Sequence, residues 1–139
     1  MFCITDPAMH DNPIVYVSDG FIDMTGYNRY EINGINCRFL QGHDTSPEDV
    51  DVIRTALKER KHARVCLLNY RKDGTRFINQ FNISPLRDVD GELAYFIGVQ
   101  MQVEDTEIMP FPNTRQSMAE MLVEAEREEM ARSFEQVAN

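Results

Sequence analysis

The sequence predicts an α+β domain, a five-stranded antiparallel sheet with short helices gathered on one face. Three observations carry this. Val65–Tyr70, Phe77–Ile83 and Ala94–Val103 are strand-like runs rich in β-branched and aromatic residues. Asp-Gly dipeptides at Asp73-Gly74 and Asp90-Gly91 stand between them. Glycine accepts the positive φ of a tight turn, so each Asp-Gly marks a hairpin and the three runs form a meander. A chain of 139 residues with 42% hydrophobic and 27% charged side chains fits one globular domain.

The other elements follow in chain order. Phe2–Thr5 and Pro13–Val17 supply two short strands, which completes five. Segments 19–24, 29–33 and 37–41 read as helices too short to stand alone, so they must pack on the sheet. Ser46-Pro47-Glu48-Asp49 reads as a helix start, with Ser46 capping, Pro47 at the first helical position and the Asp49 carboxylate three residues after the cap. Val50, Ile53 and Leu57 then recur at helical spacing and bring Arg54 near the same face.

Strand alternation assigns faces. Asn69 groups with Val65 and Leu67, Asn79 with Phe77, Phe81 and Ile83, and Gln100 with Phe96 and Gly98. One face therefore offers amides among apolar residues. The other carries Tyr95, Ile97, Val99, Met101 and Val103 beside Leu68, Tyr70 and Ile78, an apolar row unsuited to water. A pocket on one side and a docking surface on the other is the expectation.

Charge and composition exclude several classes. A net charge of −9 repels phosphate backbones and argues against direct nucleic-acid binding. No apolar run approaches the roughly 20 residues that a membrane helix needs. The opening residues Met1–Asp6 lack the basic and apolar regions of a secretory signal. Three cysteines without a C-x-x-C, and histidines at 10, 43 and 62 without ligand spacing, argue for a reduced cytoplasmic or nuclear setting and no metal site. Residues 104–139 hold 9 acidic and 3 basic side chains, a net of −6, whereas residues 1–103 hold 14 and 11, a net of −3. Composition thus shifts near Asp105, and the expected organisation is a domain over 1–104, a linker over 105–112 containing Pro110 and Pro112, and a helix over 113–139.

The segment Gly34-Ile35-Asn36-Cys37-Arg38-Phe39-Leu40-Gln41-Gly42 makes the reading specific. It resembles the signature of light-oxygen-voltage (LOV) domains, flavin-binding blue-light sensors of the PAS superfamily. The resemblance covers residues 2–103 and includes Asn12-Pro13, Thr25-Gly26-Tyr27, Asn69-Tyr70 and Tyr95–Gln100. It implies a PAS-like fold and FMN, held non-covalently in the dark. Cys37 would lie over the ring and, after blue light, add reversibly to the flavin C4a carbon while N5 gains a proton. A polarizable thiol that gives up a proton and forms a labile C–S bond suits that chemistry.

The resemblance also assigns the pocket. Arg38 and Arg54 would meet the FMN phosphate, where planar guanidinium groups form bidentate hydrogen bonds. Gln41, Asn69 and Asn79 would bond the ribityl chain and the pyrimidine edge, and Asn36 of the motif is also assigned to the FMN site. A carboxamide both donates and accepts, which matches that edge. Leu40, Val50, Phe81, Ile83 and Phe96 would be apolar walls. Gln100 would stand beside N5 and relay its change of protonation to the last strand. Phe77 stands where many relatives have Trp, and Cys3 where an aliphatic residue is commoner. Cys66 is placed on the outer side of the sheet without a role.

In the tail, Asn113 and Gln116 form a capping pair, and Met118, Met121, Leu122 and Ala125 make an apolar stripe. The like-charged pairs Glu120/Glu124 and Glu124/Glu128 weaken an isolated helix, so it depends on docking. The expectation is a photosensory module without catalytic activity of its own, a homodimer through the outer sheet face or tail helix, and an effector not visible in the sequence. Val65–Arg71 resembles the LOV domains of aureochromes, which are light-regulated transcription factors. A flavin-based redox-sensing PAS module is the alternative.

Overall fold

A computed structural model describes residues 1–103 and residue 127. The linker and helix expected over 105–139 therefore lie outside the described residues, apart from Arg127. The strands are β1 (Phe2–Thr5), β2 (Ile14–Val17), β3 (Ala63–Tyr70), β4 (Arg76–Arg87) and β5 (Leu93–Val103). The helices are α1 (Asp19–Thr25), α2 (Arg29–Ile32) and α3 (Pro47–Glu59), with a 3-10 turn over Cys37–Leu40. The strands form one antiparallel sheet in the order β2-β1-β5-β4-β3. The meander is present, and β1 inserts between β2 and β5, so the first strand pairs with the last.

Both Asp-Gly turns adopt the expected form. Gly74 (φ 86°) and Gly91 (φ 81°) are left-handed. The Arg71 N–H donates to the Thr75 carbonyl and the Asp88 N–H to the Glu92 carbonyl. β4 runs four residues beyond its sequence-read end and passes through Pro85. Proline lacks an N–H, yet β3 pairs with β4 only as far as Ile83, which leaves that side of Pro85 without a partner strand.

The helix over Pro47–Glu59 forms, but not with the cap that its sequence announces. Ser46 occupies the capping position and its side chain makes no capping hydrogen bond. Its carbonyl instead accepts from the Val50 N–H, and the first-turn carboxylates Glu48 and Asp49 complement the helix dipole. α1 is capped as the rules require, since Ser18 Oγ accepts from Phe21 N–H and also from Phe2 N–H at 2.9 Å. That one hydroxyl ties α1 to β1.

Two apolar clusters fill the space between sheet and helices. One joins Cys3, Ile14, Val17, Phe21, Ile32 and Leu40, with Tyr27, Cys37 and Phe39 against it. The other joins Ala56, Val65, Leu67, Phe81, Ile83 and Phe96, with Val50, Ile53 and Leu57 from α3. The site described below lies where they meet.

The outer face carries the expected apolar row, much of it buried. Ile97, Val99 and Val103 are buried, and only Tyr95, at 42%, is exposed among the β5 residues named above. Phe2 and Leu86 pack with Ile97 and Val99, and Phe2 stacks on Tyr16. Tyr70 does not extend the patch either. Its hydroxyl accepts from the Asp44 N–H at 3.0 Å. Its ring lies so close to Gly42 that a Cβ there would approach it to 2.3 Å. β3 is an edge strand, so a long side chain can wrap round the edge instead of standing on the face.

Candidate functional site

The cleft is made by the helical layer and the inner face of the sheet. It is lined by Asn36, Cys37, Arg38, Leu40 and Gln41 from the 3-10 segment, and by Val50, Ile53 and Arg54 from α3. Leu67 and Asn69 of β3, Asn79 and Phe81 of β4 and Gln100 of β5 complete it, around a cavity of about 170 Å³. Of the residues expected in a pocket, only Ile83 and Phe96 do not line it; they sit in the apolar cluster that contains Phe81 and Leu67. Ile53 and Leu67 are lining residues not singled out as such. The signal existed, since Ile53 is three residues from Val50 on α3 and Leu67 shares a strand face with Asn69.

Local structure explains how the motif presents its cysteine. The Asn36 side chain accepts from Arg38 N–H, which caps the 3-10 turn, and its Nδ2 donates to the Asp11 carbonyl at 2.8 Å. Asn36 thus anchors the turn to the loop before β2, and Cys37 is the first residue of that turn. Cys37 is partly buried, and desolvation raises its thiol pKa, so at neutral pH it is a thiol and not a thiolate.

Both arginines stand at the rim with a carboxylate partner. Arg38 forms a two-pronged pair with Asp11, one arm at 2.6 Å, and holds the Asp11 carboxyl below the usual carboxylate range. Arg54 pairs with Asp51 at 2.9 Å. Both guanidinium groups are exposed, and exposed ion pairs contribute little, so each arginine is available to a stronger anion.

The amides are buried and incompletely satisfied. Asn79 Nδ2 donates to Asn69 Oδ1 at 3.0 Å, and Asn69 Nδ2 donates to the Leu68 carbonyl. Gln100 Nε2 donates to Cys3 Sγ at 3.5 Å. Asn79 Oδ1 and Gln100 Oε1 accept no hydrogen bond among the described residues, although Asn79 is 2% and Gln100 3% exposed. A buried acceptor without a donor costs about 1–3 kcal/mol. Two such oxygens in one apolar cleft fit a planar ligand with polar N–H groups along its edge.

A family profile described as PAS domain matches residues 1–105. The chain is 53% identical over 104 residues to phototropin-2 of Oryza sativa subsp. japonica, which covers 75% of this chain and 12% of that protein. Among solved structures, the light-state structure of the blue-light photoreceptor Aureochrome1 LOV is 50% identical with a TM-score of 0.74. That match covers 76% of this chain and 82% of the other. The chain belongs to the PAS family and is a LOV domain. The light-state dimer of the fungal blue-light photoreceptor Vivid is also similar, at 34% identity and a TM-score of 0.69 over 72% of this chain and 75% of that one. The LOV domain is a blue-light photoreceptor module, and it spans about an eighth of the rice phototropin that it matches. No helix among its described residues is long and apolar enough to cross a membrane.

Proposed function

We propose that this LOV domain binds FMN in the cleft and reports blue light through a reversible bond made by Cys37. The observation that carries the reading is the pair of orphaned buried oxygens, Asn79 Oδ1 and Gln100 Oε1, on residues that line one cleft together with the partly buried thiol of Cys37. When bound, the flavin supplies a blue-absorbing ring whose excited state accepts electron density and a proton. Cys37 would contribute its neutral thiol, supplying both the sulfur of a reversible bond to the ring and the proton that accompanies it. Asn79 Oδ1 would accept from an N–H of the pyrimidine edge, with Asn69 holding the Asn79 amide in orientation. Gln100 Oε1 would accept from protonated N5. Leu40, Val50, Ile53, Leu67 and Phe81 would sandwich the ring and exclude water, with Ile83 and Phe96 supporting Phe81.

The test is an absorption spectrum before and after blue light. The purified protein is expected to be yellow, to bleach in blue light and to recover in the dark. A colour lost only on reduction, and indifferent to light, would instead support a redox sensor. In this reading the LOV domain has no catalytic activity of its own. Its output passes to an effector, either in the same polypeptide or on another one, within the cytoplasm or nucleus.

The arginines make the choice between flavins testable. Replacing both Arg38 and Arg54 by Ala removes two charge-assisted partners of a phosphate, each worth roughly 1.5–3 kcal/mol. Fluorescence titration is expected to show FMN affinity falling by that amount while riboflavin affinity stays nearly unchanged. Equal losses for the two ligands would mean that the arginines do not meet the phosphate.

Association is a second part of the proposal. The outer face or the 113–139 helix would form a homodimer whose balance shifts with light, which requires that the two light states differ in affinity for the partner. Tyr95 is an exposed aromatic on the β5 part of that face, so Tyr95→Arg introduces a charge there while leaving the buried Ile97 and Val99 in place. Light scattering is expected to show association weakened by about 1–2 kcal/mol, the usual cost of removing one aromatic side chain from an interface. An unchanged dimer would assign the interface to the tail alone.

A further inference from the structure

Cys3 lies outside the cleft, yet its sulfur touches the residue proposed to read the flavin. It sits on β1 opposite Gly98 of β5, and its side chain faces the helical layer at 1% exposure. Gln100 stands two residues further along β5 on the same face, and its Nε2 donates to Cys3 Sγ at 3.5 Å. That distance is a normal one for a sulfur acceptor. Burial pushes the Cys3 pKa up to about 12, so the sulfur is a neutral thiol throughout the physiological range. A carboxamide has two ends. With its N–H turned to Cys3, its other end, Oε1, is left without a donor in the cleft.

We infer that Cys3 is a positioning residue for Gln100, accepting its side-chain N–H and thereby holding Oε1 toward the flavin N5. This rests on the proposed reading of the cleft. N5 carries a proton only in the lit state, and a carbonyl oxygen is the partner a proton-bearing nitrogen needs. Cys3 therefore favours the amide orientation that stabilises the lit state and slows return to the dark. An aliphatic residue at this position would fill the same space without accepting, and the amide would be free to turn its N–H toward unprotonated N5. Gly98 keeps the geometry tight, since a Cβ there would lie 3.3 Å from Cys3 Sγ.

The experiment compares wild type with Cys3→Val, which fills a similar volume without an acceptor, and Cys3→Ser, whose hydroxyl accepts the same N–H. Dark recovery of the blue absorbance is expected to be roughly three- to tenfold faster in Cys3→Val, the range for one modest hydrogen bond, and within about twofold of wild type in Cys3→Ser. In a Gln100→Leu background, Cys3→Val is expected to change recovery by less than about twofold, because the partner is gone. Equal acceleration by Val and Ser, or a Val effect undiminished in Gln100→Leu, would overturn the inference in favour of packing alone. A second readout does not depend on photochemistry. In the dark, exchange of the Gln100 side-chain amide protons, followed by NMR, is expected to be faster in Cys3→Val than in wild type or Cys3→Ser. A wild-type protein that binds flavin without bleaching would remove the role assigned to Cys37, whereas equal amide exchange in all three proteins would remove the Cys3 contact.

Discussion

Replacing Cys37 by alanine is expected to leave a yellow, fluorescent protein that no longer bleaches reversibly in blue light. The thiol is the one group of the cleft able to form a labile bond to a ring carbon, whereas the amides and apolar walls only hold and orient. Alanine keeps the 3-10 turn, because Asn36 caps it through Arg38 N–H and Asp11 carbonyl and not through residue 37. Flavin affinity should therefore change little, while light-driven loss of the blue band falls from near complete to nothing recoverable. Absorption and fluorescence on the same sample measure both. Full reversible bleaching in Cys37→Ala would refute the sulfur mechanism and reopen the redox-sensing alternative.

The second large effect belongs to Gly98. Its α-carbon faces Phe81, and a Cβ at that position would stand 2.6 and 2.8 Å from two Phe81 ring carbons. Phe81 lines the cleft on one side and packs with Ile83 and Phe96 on the other, so the ring can yield only by moving into the space proposed for the flavin. Gly98→Val is expected to destabilise the domain by about 1–3 kcal/mol, the usual range for overpacking a core, and to abolish flavin loading. The denaturant midpoint reads the first and the absorbance ratio of blue to ultraviolet bands reads the second. A variant that stays yellow with an unchanged midpoint would show that Phe81 can shift outward.

Much of this fold was legible in the chain. The two Asp-Gly turns, the alternation of Asn69, Asn79 and Gln100 with apolar neighbours, and Pro47 at a helix start are local signals. Local rules decide them, through the φ that glycine tolerates, the two-residue period of a strand and the fixed φ of proline. The motif around Cys37 was legible only through its resemblance to LOV domains, and the structure adds that Asn36 caps the turn by accepting from the Arg38 N–H. The face shared by the amides needed only parity, and the cleft gathers most of the residues so expected.

What the sequence left open depends on pairings distant along the chain. The order β2-β1-β5-β4-β3 places Cys3 opposite Gly98, 95 residues away, and so beside Gln100, a contact that no local pattern contains. The same pairing puts Phe2 beside Val99 and packs it with Ile97 and Val99 on the outer face. Ser46 illustrates the limit of a local rule: its sequence is that of a cap, but its side chain forms no capping bond. Tyr70 illustrates another, since an edge strand lets it leave its expected face for Gly42 and Asp44. By itself the sequence determined most of the strands and turns and which side chains share a face, because those follow from backbone preferences and side-chain parity, while the chemistry of the cleft came from the resemblance of its motif to LOV domains. Only the tertiary structure decided which strands are neighbours, which oxygens are left without donors and which thiol touches the glutamine, because those follow from close packing between segments that the chain holds far apart.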